Sequence, residues 1–223
     1  MGGILIPFSP TYSFMARILL TSGPTRQYID PVRYLTNASS GRMGCSLAEA
    51  AVAAGHEVVI VSGPVSITYP SQATVHWVDT TDEMLTVAQQ QFEHCDGLIG
   101  VAAPCDYRPE FVQGQKIAKT GQPLVLQLIE TPDVVATLGA DKKDRWVVGF
   151  ALETEDRRFR ALTKLEKKSC DLMILNGPEA MNSEENHVEV LAKDGSVVAT
   201  LQGSKPDVAS QIMQIVGERL IQA

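Results

Sequence analysis

The residues best placed to do chemistry lie in a long polar segment near the N-terminus. From Ser22 to Gly44 the chain reads SGPTRQYIDPVRYLTNASSGRMG, so about 20 residues separate the apolar run Arg17 to Thr21 from a helical pattern that begins at Gly41. Loops joining a strand to a helix in α/β units span roughly 2 to 6 residues, and longer ones usually carry function. Asn37, Ser39, Ser40, Gly41 and Arg42 stand where the segment enters the helix. Backbone N–H groups and small hydroxyls at a helix start can face an anion, which points to a phosphate or carboxylate ligand. The competing reading is that Ser39 or Ser40 caps the helix. Gly23 and Gly41 are too far apart for a GxGxxG dinucleotide turn, and only Gly41-Arg42-Met43-Gly44 imitates its second half.

A second cluster, Ala102-Ala103-Pro104-Cys105-Asp106-Tyr107-Arg108-Pro109, follows the apolar run Gly97 to Val101. Small residues at a strand end let a ligand approach the backbone, and Asp106 could orient a sugar, a base or a metal-bound water; an ordinary turn is the plain alternative. Lys116-Ile117-Ala118-Lys119-Thr120-Gly121 is a basic, glycine-ended stretch suited to closing over phosphates, or else a solvated charge run. Lys164 and Lys168 are four apart on a predicted helix and share a face. The four cysteines show no CxxC pair, and no histidine spacing suits zinc, so a reduced cytoplasm is the expected setting. Cys105 has no histidine within its motif to activate it as a nucleophile.

Positioning these groups requires a rigid scaffold, and its pattern is readable. Short apolar runs at Arg17 to Thr21, Glu57 to Val61, Val75 to Val78, Gly97 to Val101, Leu124 to Leu128, Trp146 to Phe150 and Leu172 to Leu175 alternate with helical spacings. The helices are expected from Gly41 to Ala54, over Asp82 to Glu93, after Pro132, and from Glu155 to Ser169. Such alternation predicts a doubly wound α/β fold, a mainly parallel sheet with helices on both faces. His187 to Ala192 and Ser196 to Leu201 flank Lys193-Asp194-Gly195, a hairpin signal, and a last helix runs from Asp207 to about Ile221.

Composition bounds the rest. With 223 residues, 44% hydrophobic and 20% charged, the chain reads as a soluble domain over 17–223 behind a disordered tail, 1–16, in which Met15 is an alternative start. No apolar run reaches the roughly 18 residues of a membrane span. A net charge of -7 argues against a nucleic-acid partner. The first residues lack the basic region and small-residue cleavage site of a secretory signal.

Seven blocks taken in order resemble the phosphopantothenoylcysteine synthetase family, in particular the synthetase half of the bacterial bifunctional synthetase/decarboxylase. They are Thr21 to Gly44, VSGPV from Val61, AAPCDYRP from Ala102, KIAK from Lys116, ETPDVV from Glu130, VVGFALET from Val147 and KLEKKSCDLMILN from Lys164. The resemblance implies a Rossmann-like fold and a ligase that activates 4'-phosphopantothenate as an acyl-nucleotidylate and joins it to L-cysteine, in the pathway to coenzyme A. CTP is the implied nucleotide, with ATP the alternative, and Mg2+ accompanies it; no metal ligand is assigned. Asn37 matches the family residue tied to the acyl intermediate, with Ser39, Ser40, Gly41 and Arg42 on the substrate side. On the nucleotide side the resemblance implies Gly23, Ser62, Gly63, Ala102, Ala103, Asp106, Lys116, Thr131, Pro132, Asp133, Phe150, Lys164 and Lys168. It also implies a homodimer with the 187–201 hairpin at its interface, and a separate phosphopantothenoylcysteine decarboxylase for the next step. Ala118 departs from the family's frequent lysine, and Pro178 to Asn186 lacks its usual glycine and phenylalanine. A nicotinamide oxidoreductase and a non-catalytic nucleotide-binding subunit are the competing readings. The first lacks a GxGxxG turn and has Ser62-Gly63-Pro64 where a ribose-binding acid would stand.

Overall fold

The computed structural model describes residues 15–177 and 185–222. Most of the N-terminal tail, and the segment following Gly177 up to Glu184, lie outside the described residues.

The apolar runs become strands because each can be covered on both faces. β1 (Arg17–Ser22) buries Ile18 and Leu20 on one side and Leu19 on the other, each fully enclosed. Each such side chain contributes roughly 1.5 to 3 kcal/mol relative to exposure. The long segment after β1 is not featureless, since it folds into an antiparallel pair, β2 (Arg26–Asp30) and β3 (Arg33–Thr36). Then come α1 (Arg42–Ala53), β4 (Glu57–Ser62), β5 (Thr74–Trp77), α2 (Thr81–Phe92) and β6 (Gly97–Gly100). The hydroxyl of Thr80 and the carboxylate of Glu83 cap α2 reciprocally, each accepting the other's backbone N–H at 3.2 Å.

Beyond β6, the chain forms a second small antiparallel pair, β7 (Tyr107–Pro109) and β8 (Leu128–Glu130). This corrects the expected core strand at Leu124 to Leu128. Leu124 and Val125 are 58% and 88% exposed, so the run has no sheet face to bury and only its last residue enters a strand, outside the main sheet. α3 (Val134–Ala140), β9 (Trp146–Leu152), α4 (Arg157–Lys167) and β10 (Leu172–Asn176) complete the parallel part. β11 (Glu185–Ala192) and β12 (Val197–Ser204) then add an antiparallel hairpin, and α5 (Lys205–Val216) ends in a wider turn at Gly217–Ile221.

The main sheet runs β12-β11-β10-β9-β6-β1-β4-β5. Counted among its own members, the six parallel strands stand in the order three-two-one-four-five-six, the doubly wound arrangement whose switch point lies between β1 and β6. α1 and α5 cover one face, and α2, α3 and α4 the other. The hairpin is fixed by Gly195 at φ +82° and by Asp194, whose Oδ1 accepts the Ser196 N–H at 2.9 Å. Asp171, just before β10, ties that hairpin to the sheet's far end: it pairs with Lys142 at 2.7 Å and Lys193 at 2.6 Å and accepts the Val147 N–H at 2.7 Å. Among the described residues no helix is long and apolar enough to cross a membrane.

Candidate active site

A cleft of about 250 Å³ opens at the carboxyl ends of β6 and β9, beside the switch point. Thr21, Gly100, Ala102, Asp106 and Phe150 line it, as does the β8–α3 turn Thr131-Pro132-Asp133, with Lys167 and Lys168 reaching in from the end of α4. Seven of the residues expected at the nucleotide are thereby brought together: Ala102, Asp106, Thr131, Pro132, Asp133, Phe150 and Lys168. Small residues at the floor leave the space open. At Gly100 a Cβ would come within 2.5 Å of the Val135 side chain, which marks how closely α3 approaches.

Asp133 is held twice, because its Oδ1 caps α3 by accepting the Ala136 N–H at 3.0 Å while its Oδ2 pairs with Lys168 at 3.1 Å. The shared helix face of Lys164 and Lys168 is present, but the two cations go to different acids. Lys164 lies 2.7 Å from Oε1 of the buried Glu153 and does not line the cleft. Lys167, its charged neighbour, does, and sequence spacing alone gave no reason to prefer it.

The substrate-side residues lie outside the cleft's lining but are joined to it. The Nδ2 group of Asn37 donates to the carbonyl of Pro104 at 2.8 Å and more weakly to that of Ala103 at 3.4 Å. Ala103 is also drawn to β1, its N–H donating to the Gly23 carbonyl at 2.9 Å. Ser39 and Ser40 do not cap the first turn of α1, whose N-cap is Gly41 at φ +74° without a side-chain hydrogen bond; Ser39 Oγ accepts only the Gly41 N–H, at 3.4 Å. The exposed Arg42 opens that helix.

Gly23, Ser62 and Gly63 shape the turns rather than line the cleft. A Cβ on Gly63 would stand 1.6 Å from the Pro24 carbonyl oxygen, so only glycine lets these two turns cross. The buried Ser62 and Ser22 hydroxyls each lie 2.8 Å from the Tyr69 hydroxyl, which bridges the ends of β4 and β1. Lys116 is exposed, but its neighbour Ile117 is anchored: its N–H donates to Asp30 Oδ2 at 3.1 Å and its carbonyl accepts from Arg33 Nη1 at 3.1 Å. Asp30 is fully buried; burial pushes its carboxyl upward, but the N–H groups of Val32 and Ile117 and the Arg33 guanidinium outweigh that and keep it below the usual carboxylate range. Arg33 and Asp30 carried no motif of their own, and the Asp30-Pro31 turn is the signal that could have placed them.

Burial pushes the thiols of Cys45 and Cys95 up to about 11 and that of Cys170 to about 12. The Cys105 Sγ donates to the Tyr107 carbonyl at 3.2 Å. Among the described residues no group of three or more His, Cys, Asp or Glu comes together around a metal position. The cleft is equipped to bind and orient, with cations on one wall and backbone on another.

A three-two-one-four-five-six parallel sheet with its cleft beside the switch point places this protein in the class of doubly wound α/β domains that take ligands at the carboxyl edge. The profile of the family described as DNA/pantothenate metabolism flavoprotein C-terminal domain matches residues 15–220, and the chain belongs to that family. It is 38% identical over 210 residues to the coenzyme A biosynthesis bifunctional protein CoaBC of Vibrio vulnificus, covering 90% of this chain and 52% of the relative. Against the CoaBC of Bacillus subtilis it is 38% identical over 202 residues, 88% of this chain and 50% of the relative. The chain thus spans about half the length of the curated relatives it matches. The crystal structure of the C-terminal domain of a CoaBC superposes with a TM-score of 0.80 at 36% identity, covering 93% of this chain and 97% of that one. A mutant Cab2 in complex with phosphopantothenate-cysteine shares the fold alone, with a TM-score of 0.76 at 16% identity over 93% of this chain and 88% of that one.

Proposed function

We propose that this chain is a phosphopantothenate–cysteine ligase of coenzyme A biosynthesis. The observation that carries the reading is the Asn37 to Pro104 hydrogen bond, which places the loop matched to the acyl intermediate against the loop that lines the cleft. The relatives at 38% identity, named for coenzyme A biosynthesis, support it. A free carboxylate is a poor acyl donor because its leaving group would be oxide. In the proposed route the carboxylate oxygen of 4'-phosphopantothenate attacks the α-phosphorus of the nucleotide and pyrophosphate departs. The amine of L-cysteine then attacks the acyl carbon, nucleoside monophosphate departs, and the amine's proton is lost to solvent.

The chain's own residues bind and orient. The backbone around Ala102 and Asp106 takes the nucleoside, Phe150 packs against it, and Lys168, Lys167 and Lys116 meet the phosphates. An amide donor placed at the acyl oxygen is worth roughly 3 to 4 kcal/mol where it acts on developing charge, and Asn37 is assigned there, its contacts to Ala103 and Pro104 opening as substrate binds. Mg2+ rides on the phosphates. CTP is the proposed nucleotide over ATP, and a cytoplasmic homodimer with the β11–β12 hairpin at its interface is the proposed assembly.

Pyrophosphate release measured with each of the four ribonucleoside triphosphates tests this directly. Release that needs phosphopantothenate, and turnover that needs cysteine, with CTP preferred, is the expected outcome. Binding of NADH or NADPH with no pyrophosphate release would overturn the reading in favour of an oxidoreductase.

A further inference from the structure

Cys105 sits one residue before Asp106 in the cleft wall, and both polar groups of its backbone are held by buried side chains from distant elements. Its N–H donates to Thr25 Oγ1 at 2.8 Å, and its carbonyl accepts from Thr81 Oγ1 at 3.2 Å and Thr131 Oγ1 at 2.7 Å. The two hydroxyls of Thr25 and Thr81 are 2.8 Å apart, and Gln27 Nε2 donates to Thr81 Oγ1 at 2.8 Å. Thr25 and Thr81 are fully buried and Gln27 is 4% exposed. Counting protons fixes every direction. Thr81 gives its single hydroxyl proton to the Cys105 carbonyl, so Thr25 must give its own to Thr81, which leaves Thr25 free to accept the Cys105 N–H. The result is a closed ring: Cys105 N–H to Thr25, Thr25 to Thr81, Thr81 to Cys105 carbonyl.

The ring joins three parts of the molecule. Thr25 follows the turn after β1, Thr81 is the first residue of α2, and Gln27 is on β2, the hairpin whose Asp30 and Arg33 anchor Ile117 beside Lys116. On its cleft side the Thr131 N–H donates to the Asp106 carbonyl at 2.9 Å. We propose that Thr25, Gln27 and Thr81 are positioning residues of the ligase: by clamping the Cys105 peptide they set the backbone of Ala102 to Asp106 in the geometry that receives the nucleotide. This rests on the function proposed above. Valine at Thr25 would strand the buried Cys105 N–H, whereas serine there keeps the hydroxyl; valine at Thr81 would leave the Cys105 carbonyl on Thr131 alone.

The test uses the full chain and the variants Thr25→Val, Thr25→Ser and Gln27→Leu, read by amide hydrogen exchange at Cys105 and by the nucleotide KM and kcat of pyrophosphate release. In Thr25→Val the Cys105 N–H loses its acceptor, exchange there accelerates at least tenfold and the KM for CTP rises about tenfold with kcat within about twofold, because binding geometry is lost before chemistry. Thr25→Ser restores both within about twofold. Should Thr25→Val not fold, Gln27→Leu, which removes one donor and leaves the ring closed, carries the test with a KM rise of about threefold. Faster exchange at an unchanged KM, or serine behaving as valine does, overturns the proposal while leaving the ligase reading intact. A parental chain that binds neither CTP nor ATP overturns the ligase reading instead, and the positioning role with it.

Discussion

Asn37 spends its amide protons on two carbonyl oxygens, those of Pro104 at 2.8 Å and Ala103 at 3.4 Å, so its Oδ1 is what it can turn toward a ligand until those contacts open. In Asn37→Asp a carboxylate oxygen would face these carbonyls, and the loss of a charge-compatible donor costs about 1 to 3 kcal/mol. The Ala103 and Pro104 carbonyls belong to the stretch assigned to the nucleotide, so the KM for CTP rises too, but at saturating CTP the larger damage falls on the acyl side, since the cations of the cleft wall, Lys167 and Lys168, are untouched. The expected outcome is pyrophosphate release close to the parental rate in a single turnover, with nucleoside monophosphate release slowed at least about tenfold; rapid-quench separation of the two products measures it. Parental rates for both would remove Asn37 from the acyl site. At this scale Asp106 was singled out by its place after an apolar run, while Thr131 and Asp133 were implied only by the family resemblance; all three line the cleft. The sequence was silent on Thr25, Gln27 and Thr81, because a buried hydroxyl ring depends on three elements meeting, and no spacing along the chain records that. Lys164 shows the converse: an i, i+4 pair is visible in the sequence, but whether each lysine faces the cleft is decided by Glu153 and Asp133, which come from elsewhere.

Elements with both faces covered announced themselves through continuous apolar runs, as β1, β4, β9 and β10 did. The β2–β3 hairpin did not, because its strands are short and partly exposed and its cohesion is lateral: Arg26 lies 4.6 Å from the centre of the Tyr34 ring, which meets Tyr28 edge-on at 5.6 Å. Leu124 to Leu128 misled for the opposite reason, an apolar run with nothing to pack on. The β11–β12 hairpin was legible, yet its attachment to the body through Asp171 was not. Burial pushes the Asp171 carboxyl upward, but hydrogen bonds from Lys142, Lys193 and the Val147 N–H outweigh this and hold it below the usual range. A carboxyl lowered on folding adds stability that is fully present above its unfolded value, near ~3.9, and is lost as the pH falls through the lower folded value. Asp171→Asn should therefore cost stability at neutral pH and progressively less in acid. Roughly 1 to 3 kcal/mol for a buried acceptor that loses its charge, at about 2 to 4 °C per kcal/mol for a chain of this size, gives a drop of several degrees. Thermal midpoints of parental and variant chains between pH 7 and pH 3 check it, and a gap that widens in acid would show the brace to be mis-assigned.

At the scale of the whole molecule the cleft draws on β1, β6, the β8–α3 turn, β9 and the end of α4, residues as far apart as Thr21 and Lys168. No local pattern assembles such a site; the family resemblance implied seven of its lining residues, and the topology explains why they converge. β6 and β9 are neighbours in the sheet, and the short α3 brings Asp133 over their ends. A site built from so many elements links binding to global stability, because unfolding anywhere disperses it. A ligand at about 100 times its Kd, binding only the folded chain, adds about 2.7 kcal/mol, which corresponds to roughly 5 to 10 °C in a domain of this length. CTP with magnesium should produce a rise of that order in thermal midpoint, and NADH none. In Lys168→Ala the phosphates lose a cation and Asp133 loses its partner, so the CTP-induced rise should fall to less than half the parental value even where the unliganded midpoint hardly moves. Removing Lys164, whose charge is spent on Glu153, should cost the unliganded chain more than it costs the CTP response. Equal responses to CTP in the two lysine variants would mean that the nucleotide draws on Lys164, in the last turn of α4, as much as on Lys168.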